Sequence, residues 1–106
     1  MSSFIELVAT TRLDGTYSKL INTITKTPLL ILDDFGLHPL DISLQLTILE
    51  ILEKRFKQYP VLITSQLPVK EWHAYIGEPT IADAIMDRLA ASNHRVELTG
   101  QSMRRK

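Results

Sequence analysis

The sequence predicts an α/β fold with a parallel sheet, and three observations support this fold class. Two short apolar runs, Leu29–Leu32 and Val61–Ser65, follow prolines at positions 28 and 60. Strands that are apolar on both faces are typical of a parallel sheet that is covered by helices on each side. An amphipathic helix from about Ser43 to Tyr59 separates the two runs. A strand, a helix and a strand within about 35 residues form a right-handed βαβ unit.

Helices are also predicted before this unit. Ser3 and Glu6 have the spacing of a capping box that opens a short first helix. The dipeptide Asp14-Gly15 is a turn signal and ends that helix. Apolar residues then recur at helical spacing between Ser18 and Lys26, which predicts a second helix.

The segments that follow the βαβ unit are predicted with the same rules. A short helix or loop is expected around Trp72, and Thr80 is expected to cap a longer amphipathic helix. Asn93 and His94 are expected to form the turn that follows. The alternating stretch RVELT predicts a third, half-exposed strand.

Composition excludes several classes of protein. A chain of 106 residues suits one domain with a single core. Its 12 Lys and Arg residues balance 12 Asp and Glu residues, so no global field attracts nucleic acid or a membrane. The absence of cysteine excludes disulfides, cysteine-ligated metals and thiol nucleophiles. The start has no signal-peptide pattern and no apolar run approaches a membrane span, so a cytoplasmic location is expected.

Two adjacent aspartates, Asp33 and Asp34, directly follow the first apolar run. Ligands of a parallel sheet collect beyond the carboxyl ends of its strands, where Ser65 and Gln66 end the second run. Two carboxylates suit a hydrated Mg²⁺, with one holding the metal while its neighbour orients or deprotonates a water molecule. A structural interpretation stays open, because aspartates after a strand are also common at the start of a loop.

Four blocks of the sequence resemble the IstB-type transposition helpers, which are AAA+ P-loop ATPases related to the helicase loader DnaC and the initiator DnaA. The blocks are LLILDDFGLHPL, VLITSQLPVKEW, IGEPTIADAIMDRL and HRVELTGQSMRRK, and RLDGTYSKLINTITKTPLLILDDFG fits the same family. They occur in the order and spacing of the family, so the resemblance covers nearly the whole chain. It implies part of a P-loop NTPase domain, a three-layer α/β sandwich with a parallel sheet.

The resemblance also implies roles for matched positions around an ATP site. Asp33 and Asp34 match the Walker B pair, with Asp33 directed to Mg²⁺ and Asp34 to the hydrolytic water. Gln66, together with Ser65, matches the sensor position that contacts the γ-phosphate of ATP.

Two arginines match further positions of the family. Arg88, in MDRL, matches the arginine finger that acts on ATP bound by a neighbouring subunit, and Arg104, in QSMR, matches a second phosphate-sensing arginine. Such a finger contributes about 10³ to 10⁵ in rate. A simpler interpretation of Arg88 also stays open, since an arginine near the end of a helix complements the helix dipole on a solvated face.

The chain departs from the family at the Walker A loop, G-x-x-x-x-G-K-[ST], which holds the phosphates of ATP. Glycine occurs only at positions 15, 36, 77 and 100, and none begins that pattern. In a complete member the loop would precede Met1, so residues 1–106 correspond to the portion from Walker B to the C-terminus. We therefore expect that the chain alone neither binds ATP tightly nor hydrolyses it.

The function that the resemblance implies is an ATP-binding helper of insertion-sequence transposition. Its cofactors would be ATP and Mg²⁺, and its partners a transposase, double-stranded DNA and further copies of itself, with no membrane. Two alternatives stay open: a DnaC-like helicase loader, and a non-enzymatic interaction module or remnant that does not bind nucleotide. If Leu29–Leu32 lacks a neighbouring strand on one side, its apolar edge is expected to favour pairing with another chain.

Overall fold

A computed structural model describes residues 2–56, 58–91 and 95–98, and it confirms the α/β class. Helices α1 and α2 precede the first strand, and helices α3 to α5 lie between the strands, with one 3-10 turn. In chain order the elements are α1 (Ser2–Asp14), α2 (Tyr17–Lys26), β1 (Leu30–Leu32), α3 (Ile42–Arg55), β2 (Val61–Ser65), the 3-10 turn (Val69–Glu71), α4 (Trp72–Ile76), α5 (Pro79–Ala91) and β3 (Arg95–Leu98).

The three strands form one parallel sheet in the order β1-β2-β3. The βαβ pattern predicts the parallel pairing of β1 with β2, which is confirmed. Leu30 lies opposite Val61 and Leu32 opposite Ile63. The third strand is confirmed at Arg95–Leu98, parallel to β2. The exposure predicted for its side chains and the turn predicted at positions 93 and 94 fall outside the described part of the structure.

The hydrophobic core lies on one face of the sheet. Leu32, Val61 and Ile63 are almost fully buried there against apolar residues of α3, α4 and α5. Leu29 and Ile31 alternate with them and are 48% and 52% exposed. Helices are predicted to cover β1 on both faces of the sheet. Within the described residues this prediction is confirmed for one face.

The ends of α3 differ from the prediction. Its N-cap is Asp41, whose carboxylate accepts the Leu44 N–H at 2.8 Å, so the helix begins at Ile42 and not at Ser43. It ends at Arg55, four residues before Tyr59, because Phe56 leaves the helical conformation with a φ of −55° and a ψ of 124°. The buried Arg55 side chain donates to the carbonyls of Ile24, Thr27 and Pro60. Pro60 directly precedes the strand, which begins at Val61, and it does not end the helix.

Two other caps differ from the sequence prediction. Ser3 lies inside α1 and does not cap it. Thr80 lies inside α5, because Glu78 caps that helix by accepting the Ile81 N–H at 2.9 Å, and Pro79 takes the first position, where its missing N–H costs nothing. The turn predicted after α1 and the short helix around Trp72 are confirmed.

Within the described residues, none of the helices combines the length and the apolar character that crossing a bilayer requires.

Candidate functional site

Two carboxylates stand at the carboxyl end of β1, where the sequence predicts a ligand site. Leu32 is 4% exposed and holds the end of the strand in the core, while Asp33 and Asp34 directly after it are exposed. The Phe35 N–H donates to the Thr64 carbonyl at 2.9 Å, which extends the pairing with β2 past the aspartates. The apolar strand thus fixes the main chain from which both carboxylates project.

Thr64 of β2 connects the two aspartates. Its hydroxyl donates to Asp33 Oδ1 and accepts the main-chain N–H of Asp34 at 3.1 Å. A hydroxyl has one proton and two lone pairs, so it can make both hydrogen bonds at once. Thr64 is not among the site residues predicted from the sequence. Once Leu32 is paired with Ile63, the next pair along the two strands is Asp33 and Thr64.

The turn after the strand requires unusual backbone angles. Asp34 has a φ of 59°, a left-handed conformation that aspartate and asparagine adopt more readily than most residues, and its carbonyl accepts the Leu37 N–H at 3.1 Å. Gly36 has a φ of 101°, and an added Cβ would lie 3.0 Å from Leu67 Cβ. The turn therefore depends on the residue types Asp and Gly at these positions.

Ser65 is fully buried and joins two loops. Its hydroxyl donates to the Phe35 carbonyl and accepts the Leu67 N–H at 3.0 Å. Ser65 is expected from the sequence to contact nucleotide, and this stays a prediction. In the structure its buried hydroxyl joins the loop after β1 to the loop after β2.

Gln66 and Asp34 lie together, as the sequence predicts for the ends of neighbouring strands. Gln66 is exposed at the carboxyl end of β2. Both residues line a shallow pocket of about 180 Å³, which is formed by Asp34, Phe35, Gly36, Leu37, Gln66 and Leu67. The pocket places an amide beside a carboxylate at the edge of the sheet.

Aromatic residues pack against Phe35, which lines the pocket. The buried Phe35 ring packs edge-on against Trp72 and Tyr75, with ring centroids 4.8 and 5.1 Å away. Trp72 donates its indole N–H to the Leu67 carbonyl at 2.8 Å, and the Tyr75 hydroxyl donates to the His38 carbonyl. Burial raises the pKa of Tyr75, so the phenol keeps the proton that it donates.

Arg88 lies in a different part of the structure from the Asp33 and Asp34 carboxylates. Its guanidinium stacks 4.5 Å from the centre of the Phe56 ring, and Nη2 lies 3.9 Å from Glu53 Oε2. Glu53 and Phe56 belong to the C-terminal end of α3, which leads to the amino end of β2. The structure therefore does not bring Arg88 to the Asp33 and Asp34 of its own chain, and Arg104 falls outside the described residues.

The carboxylates of Asp33 and Asp34 suit a metal ion that keeps most of its water ligands. No group of three or more His, Cys, Asp or Glu residues that could hold a metal occurs in the part of the chain that the structure describes. Two exposed carboxylates do not make a closed protein cage. They fit Mg²⁺ bound through one or two carboxylates together with water and phosphate oxygens.

Comparison with known proteins places the chain in a family. The family model for IstB-like ATP binding proteins matches residues 1–106. An insertion sequence ATP-binding protein of Sinorhizobium fredii, y4pL, is 51% identical over 98 residues, which is 92% of this chain and 40% of that protein. A second protein of that description and organism, y4uH, is 43% identical over 99% of this chain and 42% of its own length. An ATP-binding protein of an insertion sequence from Geobacillus stearothermophilus is 28% identical over 86% of this chain and 36% of that protein. The chain spans about two fifths of the length of the two Sinorhizobium relatives. It belongs to the family of IstB-like ATP binding proteins.

Proposed function

We propose that this chain forms the metal- and water-facing half of an ATP site in a helper protein of insertion-sequence transposition. The observation that carries the proposal is the Thr64 hydroxyl, which holds Asp33 through its carboxylate and Asp34 through its N–H. This arrangement holds the Asp33 carboxylate and the main chain of Asp34 before any ligand binds. The printed descriptions of the relatives, insertion sequence ATP-binding proteins, support ATP as the ligand and transposition as the process.

Asp33, Asp34 and Gln66 each have a defined task in this proposal. Asp33 holds a hydrated Mg²⁺, which would neutralise charge on the phosphates of ATP. Asp34 orients the attacking water and accepts its proton, and Gln66 donates its amide hydrogens to the γ-phosphate. Catalysis of phosphoryl transfer depends mostly on positioning and on electrostatic stabilisation, so rigid placement of these groups is the main contribution of the chain.

Arg88 acts on a neighbouring subunit in this proposal. Its contacts with Glu53 and Phe56 hold it near the amino end of the sheet, whereas the carboxylates lie at the carboxyl end. An arginine in this position serves ATP only when another subunit lies against it, so the proposed active form is a homo-oligomer. Arg104 is proposed as a second phosphate-sensing residue, with a transposase and double-stranded DNA as partners.

We propose that the isolated chain forms only half of the ATP site, which we call the half-site. The sequence contains no G-x-x-x-x-G-K-[ST] motif, and without that loop the phosphates have no cradle of main-chain N–H groups. Calorimetric titration of the chain with Mg-ATP is expected to show no binding in the micromolar range. A micromolar dissociation constant would contradict the half-site.

A chimera tests the catalytic proposal. It joins this chain to the remaining part of the y4pL relative, and we expect it to hydrolyse Mg-ATP. Arg88→Ala is expected to lower its rate by about 10³, whereas the control Lys54→Ala, which removes a surface cation of α3, leaves the rate unchanged.

Mixing variants tests whether Arg88 acts between subunits. The Arg88→Ala chimera keeps Asp34, and an Asp34→Asn chimera keeps Arg88, so mixed oligomers restore complete sites at shared interfaces. Recovery of activity on mixing is expected. An Arg88→Ala rate equal to that of the parent, or no recovery on mixing, would contradict the role in a neighbouring site.

One alternative function stays open, a non-enzymatic interaction module, because Asp33 and Asp34 directly follow a strand, where aspartates commonly start a loop. In that case the aspartates only start a loop, and the chain serves through its surfaces. A chimera that binds Mg-ATP with micromolar affinity but shows no hydrolysis, with or without transposase and double-stranded DNA, would favour the module over the ATPase.

A further inference from the structure

The turn after β1 has a backbone conformation that needs support from neighbouring elements. Asp34 has a φ of 59° and Gly36 a φ of 101°. A left-handed backbone is unfavourable for a residue with a side chain, and it persists where the surrounding structure holds it. The Asp34 carboxylate projects from this backbone, so the groups that hold the turn also determine where the carboxylate lies.

Strand β2 holds the first part of the turn. The Thr64 carbonyl accepts the Phe35 N–H at 2.9 Å, and the Ser65 hydroxyl donates to the Phe35 carbonyl. These hydrogen bonds fix the main chain as far as Phe35. The second part of the turn, from Gly36 to His38, is held by a different element.

Tyr75 of α4 holds this second part. Its hydroxyl donates to the His38 carbonyl. Burial raises the pKa of Tyr75, and a hydrogen bond with the Gly36 main chain opposes part of that rise. A phenol hydroxyl can donate one hydrogen bond and also accept, so a single oxygen atom of Tyr75 connects to both Gly36 and His38.

Close packing fixes the position of that hydroxyl. The Tyr75 ring packs edge-on against the buried Phe35 ring, with centroids 5.1 Å apart. Trp72 and Ile76, which flank Tyr75 in α4, are 0% and 1% exposed. The Trp72 indole N–H also donates to the Leu67 carbonyl at 2.8 Å. Helix α4 is thus anchored in the core, and it presents the Tyr75 hydroxyl to the turn from a fixed place.

We propose that Tyr75 is a positioning residue for Asp34, an inference that rests on the function proposed above. Together β2 and Tyr75 set the backbone of Asp34, and with it the place of the carboxylate that accepts the proton of the attacking water. Tyr75 takes no part in the proton transfer, because its own proton is engaged by the His38 carbonyl. Loss of the hydroxyl therefore slows the chemical step and leaves the binding of Mg-ATP through Asp33 unchanged.

Nuclear magnetic resonance of the chain itself tests the structural part of the proposal without ATP. The Leu37 N–H donates to the Asp34 carbonyl at 3.1 Å, so the order parameter of this amide reports whether the turn is held. Tyr75→Phe removes one oxygen atom and keeps the ring. It is expected to lower the Leu37 order parameter from about 0.85, typical of a rigid backbone, toward about 0.6, typical of a flexible one. The Phe35 amide, which is bonded to β2, is the internal reference and should stay near the wild-type value.

Tyr17→Phe is the matched control for the loss of a tyrosine hydroxyl. The Tyr17 hydroxyl is also hydrogen-bonded, to Thr47 at 2.9 Å and to Glu50 at 3.1 Å, where α2 meets α3. Its removal should leave the order parameters of Phe35 and Leu37 unchanged, and circular dichroism of each variant establishes that it folds. An unchanged Leu37 order parameter in Tyr75→Phe, or an equal fall at Phe35, would overturn the proposal.

The chimera with y4pL tests the catalytic part of the proposal. Tyr75→Phe is expected to lower the rate of single-turnover hydrolysis at least about 5-fold, because a displaced base is less effective. The affinity for Mg-ATP should stay within a few-fold of the parent, and Tyr17→Phe should hydrolyse ATP at the parent rate. Equal rates for the two variants would overturn the proposal, and so would a loss of affinity as large as the loss of rate.

Combining Tyr75→Phe with Asp34→Asn tests whether Tyr75 acts through Asp34. Effects of residues that act as a unit are not additive. The Asp34→Asn chimera has no base to misplace, so Tyr75→Phe should not lower its residual rate further. A further fall by the factor seen in the parent would overturn the proposal.

A parent chimera that does not hydrolyse Mg-ATP would contradict the proposed function and not the role of Tyr75 in the turn. The order parameters of Leu37 and Phe35 then decide that role alone.

Discussion

The two ends of the parallel sheet are held by different chemistry. At the amino end Arg55 is fully buried, and its guanidinium donates to the carbonyls of Ile24, Thr27 and Pro60 at 2.6 to 2.7 Å. At the carboxyl end the Thr64 hydroxyl connects to Asp33 and Asp34, which are exposed. A buried cation joins three segments at one end, and at the other one neutral hydroxyl holds the Asp33 carboxylate and the Asp34 main-chain N–H.

The difference separates stability from function. Arg55 satisfies carbonyl groups at the end of α2 and at the start of β2, and it therefore holds these segments together. Burial lowers its pKa. The carboxylates are exposed and therefore accessible to water and ligand. Substitutions at the amino end should therefore affect folding, and substitutions at the carboxyl end should affect ligand chemistry.

The largest expected effect belongs to Arg55. Arg55→Met keeps most of the side-chain volume but removes three hydrogen bonds from a charged donor, each of which contributes about 1.5–3 kcal/mol. The Thr27 carbonyl loses the donor at 2.6 Å, whereas the Ile24 and Pro60 carbonyls keep only the longer hydrogen bonds from the Thr27 and Leu30 N–H groups, at 3.3 Å. The free energy of unfolding is expected to fall by about 3 kcal/mol or more in urea denaturation. Lys54→Met, on the exposed side of the same helix, should change it by less than about 0.5 kcal/mol. Equal effects of the two substitutions would contradict the role of Arg55 at the amino end.

Thr64 is expected to show a smaller effect on stability and a larger one on catalysis. Thr64→Val preserves the shape of the side chain and removes the hydroxyl, so the free energy of unfolding should change by about 1 kcal/mol. Hydrolysis by the chimera with y4pL should fall at least about 10-fold, because Asp33 and Asp34 lose their common partner. Thr64→Ser keeps the hydroxyl and should retain most of the rate. If Val and Ser variants hydrolyse ATP at the same rate, the connection through Thr64 is not needed.

The sequence identified the carboxyl end of the sheet better than the amino end. The apolar runs and the intervening helix predict the strands, and the carboxyl ends of parallel strands lie together, so Asp34 and Gln66 were expected to be neighbours. Thr64 follows from the same register. These features depend on local pattern and on a general rule of topology.

Arg55 illustrates what the sequence pattern does not reveal. A basic residue near the end of an amphipathic helix is usually solvated, and the carbonyl groups that Arg55 binds come from segments about 30 residues earlier in the chain and from the turn after the helix. Such a contact is decided by tertiary packing. The half-exposed Leu29 and Ile31 are a second case, because a fully apolar strand cannot indicate which of its faces is covered.

The smallest expected effect concerns the turn between α1 and α2. Asp14 accepts hydrogen bonds from the Thr16 hydroxyl and N–H at 2.6 and 3.0 Å, and these lower the pKa of the exposed Asp14 carboxyl below 3.8. A depressed folded-state pKa adds stability that is present above the unfolded pKa and is lost as pH falls through the folded one. The difference in melting temperature between wild type and Asp14→Ala should therefore be small at neutral pH, and it should shrink as the pH falls below 3.8. A difference that grows in acid would contradict the assignment.

Asp34 provides the most direct test of the central claim, that the carboxyl end of this sheet is the water-facing half of an ATP site. In the chimera with y4pL, Asp34→Asn keeps the shape and the tolerance for a left-handed backbone but removes the base. The account predicts that Mg-ATP affinity stays within a few-fold of the parent while single-turnover hydrolysis falls at least about 10²-fold. The control Asp83→Asn, an exposed aspartate of α5 that pairs with His73, should hydrolyse ATP at the parent rate. Hydrolysis by Asp34→Asn at the rate of that control would contradict the account.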